Sequence, residues 1–177
     1  MAKENSAHRI VVDCIYEALI KLMDEKPYKE ITITDITKKA GVSRMAYYRN
    51  YQDKDDILID HFKKVSSSSS EKIKKKTGIS QKERWRDIIR MNCEDSIFEY
   101  IIKAGLFEKT LDIQLNYVFH IYQNTFGFDM ANENTKILIY RKLGGLWGCM
   151  SYLINHKENM SADTLADHLI ELMEIDD

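Results

Sequence analysis

The sequence predicts an all-α protein of about nine helices, a three-helix unit at the N-terminus followed by a larger helical domain. Apolar residues recur at three- and four-residue spacing along most of the chain, the period of a helix with one buried face. No segment sustains the alternation of a half-buried strand. One proline and seven glycines in 177 residues leave little room for a turn-rich β fold.

Helix one is expected from about His8 to Glu25, with Val11, Ile15, Ala18, Leu19 and Leu22 on one stripe and Pro27 ending it. Thr32 and Asp35 then fit a capping box, in which each side chain takes an N–H the other leaves free. The helix they open turns Ile36 and Ala40 inward and stops at Gly41, a residue able to adopt the left-handed conformation. Val42 fills the space between two helices, and Ser43 caps a second short one, Arg44 to Tyr51. Tyr47 and Tyr51 lie four apart and point to the core, while Arg44, Met45, Tyr48 and Asn50 remain outside. Two short capped helices around a glycine turn are the geometry that puts a second helix into a DNA major groove. The segment from Asp53 to Asp56 is a further capping signal and opens a helix at Ile57 and Leu58.

This pattern resembles the TetR family of transcriptional regulators. The match runs through Ile31, Thr32, Asp35, Ile36, Ala40, Gly41, Val42, Ser43, Tyr48, Lys54 and Leu58. Tyr51 stands where the family usually has Phe, which keeps a large ring in the core. The resemblance implies a DNA-facing set of Thr34, Ser43, Arg44, Met45, Ala46, Tyr48, Asn50 and Lys54. Tyr48 and Lys54 match positions that usually meet phosphates, and such contacts position a protein without reading sequence. Arg44 is suited to a guanine edge, Met45 and Ala46 to a thymine methyl, and Thr34 and Asn50 to either phosphate or base.

The exit helix continues through Phe62 and Val65 into five serines, Ser66 to Ser70, and a Lys run ending at Lys76. Five poor helix formers suggest a flexible linker, whereas the resemblance implies a connecting helix, weakened there. The Lys run is expected to be a solvated helix end. Gly78 marks a boundary, giving a DNA-binding domain over 1–65, a connection over 66–79, and an effector-binding and dimerisation domain over 80–177. Ser80 and Glu83 form another capping box, starting a helix with Trp85, Ile88, Ile89 and Asn92. The chain is helical again from Ser96 to Lys103, and Gly105 stops it. Leu111, Leu115, Val118, Phe119, Tyr122 and Phe126 form the next stripe, before a polar loop from Gly127 to Glu133. A long helix follows from about Asn134 to His156. Ser161 caps the last one, which carries Leu165, Leu169, Leu172 and Met173.

Composition narrows the function. Residues 1–76 hold 16 Lys and Arg against 12 Asp and Glu, whereas the remainder holds 10 against 16. A basic front and an acidic back agree with DNA contact at one end only. Cys14, Cys93 and Cys149 are unpaired in pattern and read as small buried residues, and the absence of an apolar leader points to the cytoplasm. The five histidines lack metal-ligand spacing, so neither metal nor cofactor is expected. The longest apolar run, Leu143 to Ile154, is too short to span a bilayer. No Gly-rich phosphate loop, nucleophile elbow or zinc-protease helix argues for an enzyme.

Gly144, Gly145 and Gly148 share one helix, where each costs roughly 1 kcal/mol against Ala. Close approach of another helix or a bend over a ligand would offset that cost. The resemblance implies a dimer through the last two helices, with Gly145, Trp147, Gly148, Tyr152, Leu165 and Leu169 at the interface. Leu143, Leu146, Met150, Leu153 and Ile154 are further candidates for that buried surface. It also implies a pocket for a small effector, for which Trp85, Ile89, Phe98, Phe107, Tyr117, Tyr122 and Tyr140 are candidates. Glu94, Asp95, Arg90 and Asn92 stand near enough to hold a polar group. The expected function is a homodimeric, ligand-responsive repressor released from a palindromic operator. The alternatives are an activator or coregulator of the same fold that works through a protein partner without a pocket, and a helical interaction module that binds no DNA.

Overall fold

The computed structural model describes residues 2–156 and 161–172. Among them are nine α-helices and one 3-10 turn, and no strand. The side chains of Asn92, Cys93, Phe126, Leu153, Ile154 and Leu172, and the whole of Met173, lie outside the described part.

The N-terminal unit, or head, begins with α1 (Ala2–Glu25), which starts six residues before the expected His8. A 3-10 turn (Tyr28–Glu30) follows Pro27 and leads to α2 (Ile33–Ala40) and α3 (Arg44–Tyr48). Ile15, Leu19, Ile36, Tyr47, Ile57 and Leu58 are wholly enclosed and hold α1, α2, α3 and the start of α4 (Asp55–Lys74) together. Full burial of each aliphatic side chain contributes about 1.5–3 kcal/mol.

α4 runs unbroken through the five serines. Ser66, Ser69 and Ser70 are buried at i, i+3 and i+4, while Ser67 and Ser68 face solvent. The tract is therefore one face of a packed helix, and packing against α5 and α7 overrides its low propensity. The 65/66 division falls inside this helix. The chain leaves regular structure after Lys74, ahead of Gly78 with its left-handed φ of 71°.

The body consists of α5 (Gln81–Glu94), α6 (Ile97–Ala104), α7 (Phe107–Phe126), α8 (Glu133–His156) and α9 (Ala162–Leu172). Asp95 separates α5 from α6 in an extended conformation, and its carboxylate accepts the Ile97 N–H at 2.9 Å. Phe62, Phe98, Phe107 and Trp147 form an aromatic cluster where α4, α6, α7 and α8 meet, with Phe98 and Phe107 each 5.2 Å from the Trp147 ring. The Trp147 indole donates to the Gln114 side-chain oxygen at 2.5 Å. Trp85 donates similarly to the Tyr122 hydroxyl across α5 and α7.

These contacts correct part of the expected dimer surface. Trp147 is 2% exposed, and Leu143, Leu146, Met150 and Leu169 are equally enclosed by their own chain. α8 carries apolar residues around most of its circumference, and the face bearing Trp147 is the one that packs inward. α9 lies along α5, where Arg86 pairs with Asp167 at 2.7 Å.

Candidate nucleic-acid interface

Local hydrogen bonds set the orientation of α2 and α3. The Asp35 N–H donates to the Thr32 hydroxyl at 3.1 Å, and the Asp35 carboxylate accepts from the Thr32 N–H at 2.9 Å. Lys26 adds an ion pair to Asp35 at 2.8 Å. That ammonium, with the Thr32 donors, holds the Asp35 carboxyl well below the usual carboxylate range. Gly41 then takes φ 66°, where any side chain would be strained, and its N–H reaches back to the Lys38 carbonyl at 3.3 Å. The Ser43 hydroxyl accepts the Ala46 N–H at 3.1 Å and so caps α3. Its own proton remains to donate outward.

α3 is shorter than the sequence suggests, because Arg49 to Tyr51 form a turn and not a further helical turn. Tyr47 is fully buried, its ring edge-on to Tyr48 at 5.4 Å, and Tyr51 donates to Asp60 at 3.1 Å. The outward face presents Arg44, Met45 at 68% exposure and Tyr48 at 48%, with Thr34 exposed on α2 and Ala46 half-buried. These large exposed side chains on a rigidly capped helix suit insertion into a groove.

Two members of the expected set are engaged within the head. The Asn50 amide donates to the Ala46 carbonyl at 2.7 Å, which closes the end of α3. The Lys54 ammonium donates to the carbonyls of Tyr28 at 2.6 Å and Ile31 at 2.8 Å and stands 4.3 Å from the Tyr28 ring. Partial burial lowers its pKa. Lys54 thus ties the 3-10 turn to the start of α4, with one N–H left for an outside acceptor. The cap of α4 comes from Asp53, whose carboxylate accepts the N–H groups of Asp55 and Asp56 at 2.7 and 3.1 Å. Sequence reasoning missed Arg49, an exposed cation at the end of α3 with no ion pair among the described residues. Its charge beside the expected interface was the available signal.

Polar contacts join head to body. Asp55 accepts from Tyr28 and from Lys109 of α7, each at 2.6 Å. Tyr100 of α6 donates to Asp24 at 3.0 Å. His61 stacks on Tyr16 at 3.8 Å and lies 3.9 Å from Asp95. Burial raises the Asp55 pKa, but the bonds from Lys109 and Tyr28 outweigh it and the net shift is downward.

The expected effector residues are dispersed. Trp85, Ile89, Phe98 and Tyr122 are buried core, and Phe107 packs on Trp147. Burial moves the Tyr122 hydroxyl up to about 12. Tyr140 is 46% exposed and faces outward from α8, which removes it from the interior set. Arg90 pairs with Asp87 and Glu94 on the surface. Tyr117 borders a cavity of about 20 Å³ between α4, α5 and α7 that also touches Ser66, Ser69, Ser70 and Gln114. The Ser66 and Ser70 hydroxyls are buried there with no hydrogen-bond partner. Each such group costs about 1–3 kcal/mol. Their i, i+4 spacing inside the serine tract was the unread signal.

The remaining dimer candidates sit on the outer face of α8. Gly145 and Gly148 are exposed beside Gly144, Tyr152 is 56% exposed, and among the described residues nothing beyond the neighbouring residues and backbone of α8 itself lies within 4 Å of a Cβ built on these glycines. Ile137 at 63% and Tyr140 continue the same face, while Leu165 of α9 is half-buried. Among the described residues no group of His, Cys, Asp or Glu is arranged to hold a metal, and no helix is long and apolar enough to cross a membrane.

No curated protein sequence matches the chain. Its fold is similar to the fatty acid degradation regulator FadR from Bacillus halodurans, with a TM-score of 0.64 at 17% identity over 91% of this chain and 96% of that one. FadR from Bacillus subtilis, solved in complex with stearoyl-CoA, gives 0.62 at 18% identity over 93% and 96%. A TetR-like transcriptional regulator from Rhodococcus sp. RHA1 gives 0.60 at 14% over 93% and 92%. Residues 15–60 match the bacterial regulatory proteins of the tetR family, a span that holds the C-terminal part of α1, both capped helices and the start of α4. The head of this all-helical chain is therefore the helix-turn-helix domain of the tetR family of bacterial regulatory proteins.

Proposed function

We propose that the chain is a homodimeric transcriptional repressor that leaves a palindromic operator when a small effector binds in its body. The carrying observation is α3, capped by Ser43 and backed by buried Tyr47, with Arg44, Met45 and Tyr48 exposed on one side. In this reading residues 1–65 bind DNA, α4 carries the connection through 66–79, and residues 80–177 take up effector and partner copy. One recognition helix touches too few base pairs to select a site, so a two-fold pair reading two half-sites is needed. The glycine face of α8 supports that pairing, because it offers backbone for close approach and exposed Ile137, Tyr140 and Tyr152 around it. The regulator works in the cytoplasm, where operator DNA is, and carries out no catalysis. An amphiphilic effector agrees with the fold shared with a regulator solved with stearoyl-CoA.

A second reading has one observation in its favour. A cavity of about 20 Å³ holds a single water and not an effector. An activator or coregulator answering to a protein partner would need no larger space.

A gel shift with the DNA upstream of the chain's own gene tests the first reading. Retarded wild-type complexes that are lost with Gly148→Leu, alongside sedimentation of that variant as a monomer, are the expected result. A Gly148→Leu variant that sediments as a dimer and binds unchanged overturns the dimer assignment. Promoter fusions with and without the gene separate repressor from activator.

A further inference from the structure

Lys54 is one end of a chain of contacts whose other end lies in the body. Its ammonium bonds to the carbonyls of Tyr28 and Ile31 and lies 4.3 Å from the Tyr28 ring, so its position follows that of Tyr28. Tyr28 is itself buried, and its hydroxyl donates to Asp55 Oδ1 at 2.6 Å. The second carboxylate oxygen of Asp55 accepts from Lys109 Nζ, again at 2.6 Å. Both oxygens thus receive short bonds, one from the head and one from α7. Lys54 and Asp55 are adjacent at the start of α4, which closes Lys54, Tyr28 and Asp55 into a ring with Lys109 attached. Burial lowers the Lys54 pKa and the Asp55 charge opposes this, so the carboxylate acts on that ammonium directly. Lys109 belongs to the first turn of α7, as does Phe107, whose ring meets Trp147 at 5.2 Å. The chain of contacts therefore begins beside the body's aromatic cluster and ends at a cation with one N–H left for an outside acceptor.

We propose that Lys109, in the body, is a positioning residue for DNA binding: by holding Asp55, and through it Tyr28, it keeps the last N–H of Lys54 available to a DNA phosphate. This rests on the reading of the head as a DNA-binding unit, and it makes the head's grip on the DNA backbone depend on where α7 stands. Without Lys109 or without the Tyr28 hydroxyl, Asp55 has an oxygen with no partner beside an ammonium. The carboxylate then competes with DNA for Lys54, and the Tyr28 ring beneath the ammonium loses its anchor.

Fluorescence anisotropy of the full-length protein tests the assignment, with the duplex upstream of its own gene and an unrelated duplex of equal length. A phosphate contact reads no sequence, so both duplexes report it. Lys109→Ala is expected to weaken binding to both by about three- to tenfold. Tyr28→Phe changes no charge and should weaken both to a similar extent. In a Lys54→Ala background, Lys109→Ala should add nothing, because the contact it serves is gone. A full loss from Lys109→Ala in that background overturns the proposal, since Lys109 then acts on DNA by its own charge. Tyr28→Phe binding as wild type overturns it too. A lowered melting temperature with unchanged DNA affinity in either variant makes the joint purely structural and has the same consequence. The DNA-binding reading is judged on the wild type. Wild-type protein that binds neither duplex removes that reading and Lys109's role together, whereas wild-type binding that Lys109→Ala leaves unchanged removes only the role of Lys109.

Discussion

In the head, three helix entries are closed by side chains two or three positions away: Thr32 with Asp35, Ser43 with the Ala46 N–H, and Asp53 with the N–H groups of Asp55 and Asp56. In the body, the polar contacts that fix the packing span far more chain, 33 positions from Gln114 to Trp147 and 37 from Trp85 to Tyr122. The head's helix starts are thus assembled from short-range choices that each hold with few others in place, although Lys54 ties α4 back to carbonyls 26 and 23 positions upstream. The body's geometry exists only when four helices arrive together around Trp147. A reading head that must keep its shape while the rest responds suits the first construction, and a part that must shift suits the second.

Large core truncations give the strongest test of this contrast. Tyr47→Ala should cost about 3–5 kcal/mol, since Tyr47 is wholly enclosed in the head, and should abolish DNA binding. Trp147→Ala should cost a similar ~3–5 kcal/mol in the body and leave Gln114 without its indole donor. If head and body are separately organised, Tyr47→Ala retains the wild-type oligomeric state in sedimentation. Loss of both properties in both variants would mean one cooperative unit. Tyr47→Phe supplies the control: the buried hydroxyl has no partner, so its removal should be neutral or stabilising in urea denaturation.

Next in size is the division of labour within the head. Arg44→Ala should cost roughly 1–3 kcal/mol on operator DNA alone, relaxing preference at one base pair per half-site. Lys54→Ala removes two charge-assisted bonds to the Tyr28 and Ile31 carbonyls, and should cost about 1–2 kcal/mol of stability. If its remaining N–H also meets a phosphate, the salt dependence of DNA binding falls by about one unit as well. An unchanged salt slope with lowered stability would make Lys54 a positioning residue only. Equal weakening of all sequences by Arg44→Ala would remove its base-reading role.

The same contrast explains what the sequence could show. Capping boxes at Thr32 and Ser80, the turn at Gly41 and the cap at Ser43 are written in residues three or four apart, and all are present as expected. The sequence offers Lys54 as a phosphate contact and does not show its bonds within the head, because the two carbonyl partners lie 26 and 23 positions upstream, beyond any local pattern. On α8 the sequence offers two apolar faces without saying which meets its own chain. Trp147 therefore went to the wrong side, while Gly145, Gly148 and Tyr152 lie on the outer one. The serine tract was ambiguous for a related reason. Serine's weak propensity argues for a linker, and only the partners α5 and α7, far along the chain, make it a helix face.

The smallest expected effect is a difference in acid sensitivity between an ion pair inside the head and one that joins head to body. Asp35 pairs with Lys26 within the head, whereas Asp55 bonds to Tyr28 and reaches Lys109 across the joint. Both carboxyls have folded pKa values below the ordinary Asp value of about 3.9. A carboxyl depressed on folding adds stability above its unfolded pKa, and that stability is lost as pH falls through the folded value. Wild-type melting temperature should therefore decline below about pH 4, and Asp35→Asn and Asp55→Asn should each flatten the decline. The two differ in what else they change. Asp55→Asn removes the charge facing Lys109, so Lys109→Ala should reproduce part of its effect and add little in the double variant. Asp35→Asn should be additive with Lys109→Ala, because no shared partner links them. Additivity of Asp55→Asn with Lys109→Ala in thermal melts at pH 7 would show that the joint gains nothing from this pair, leaving Tyr100 with Asp24 and His61 with Asp95 to hold head to body.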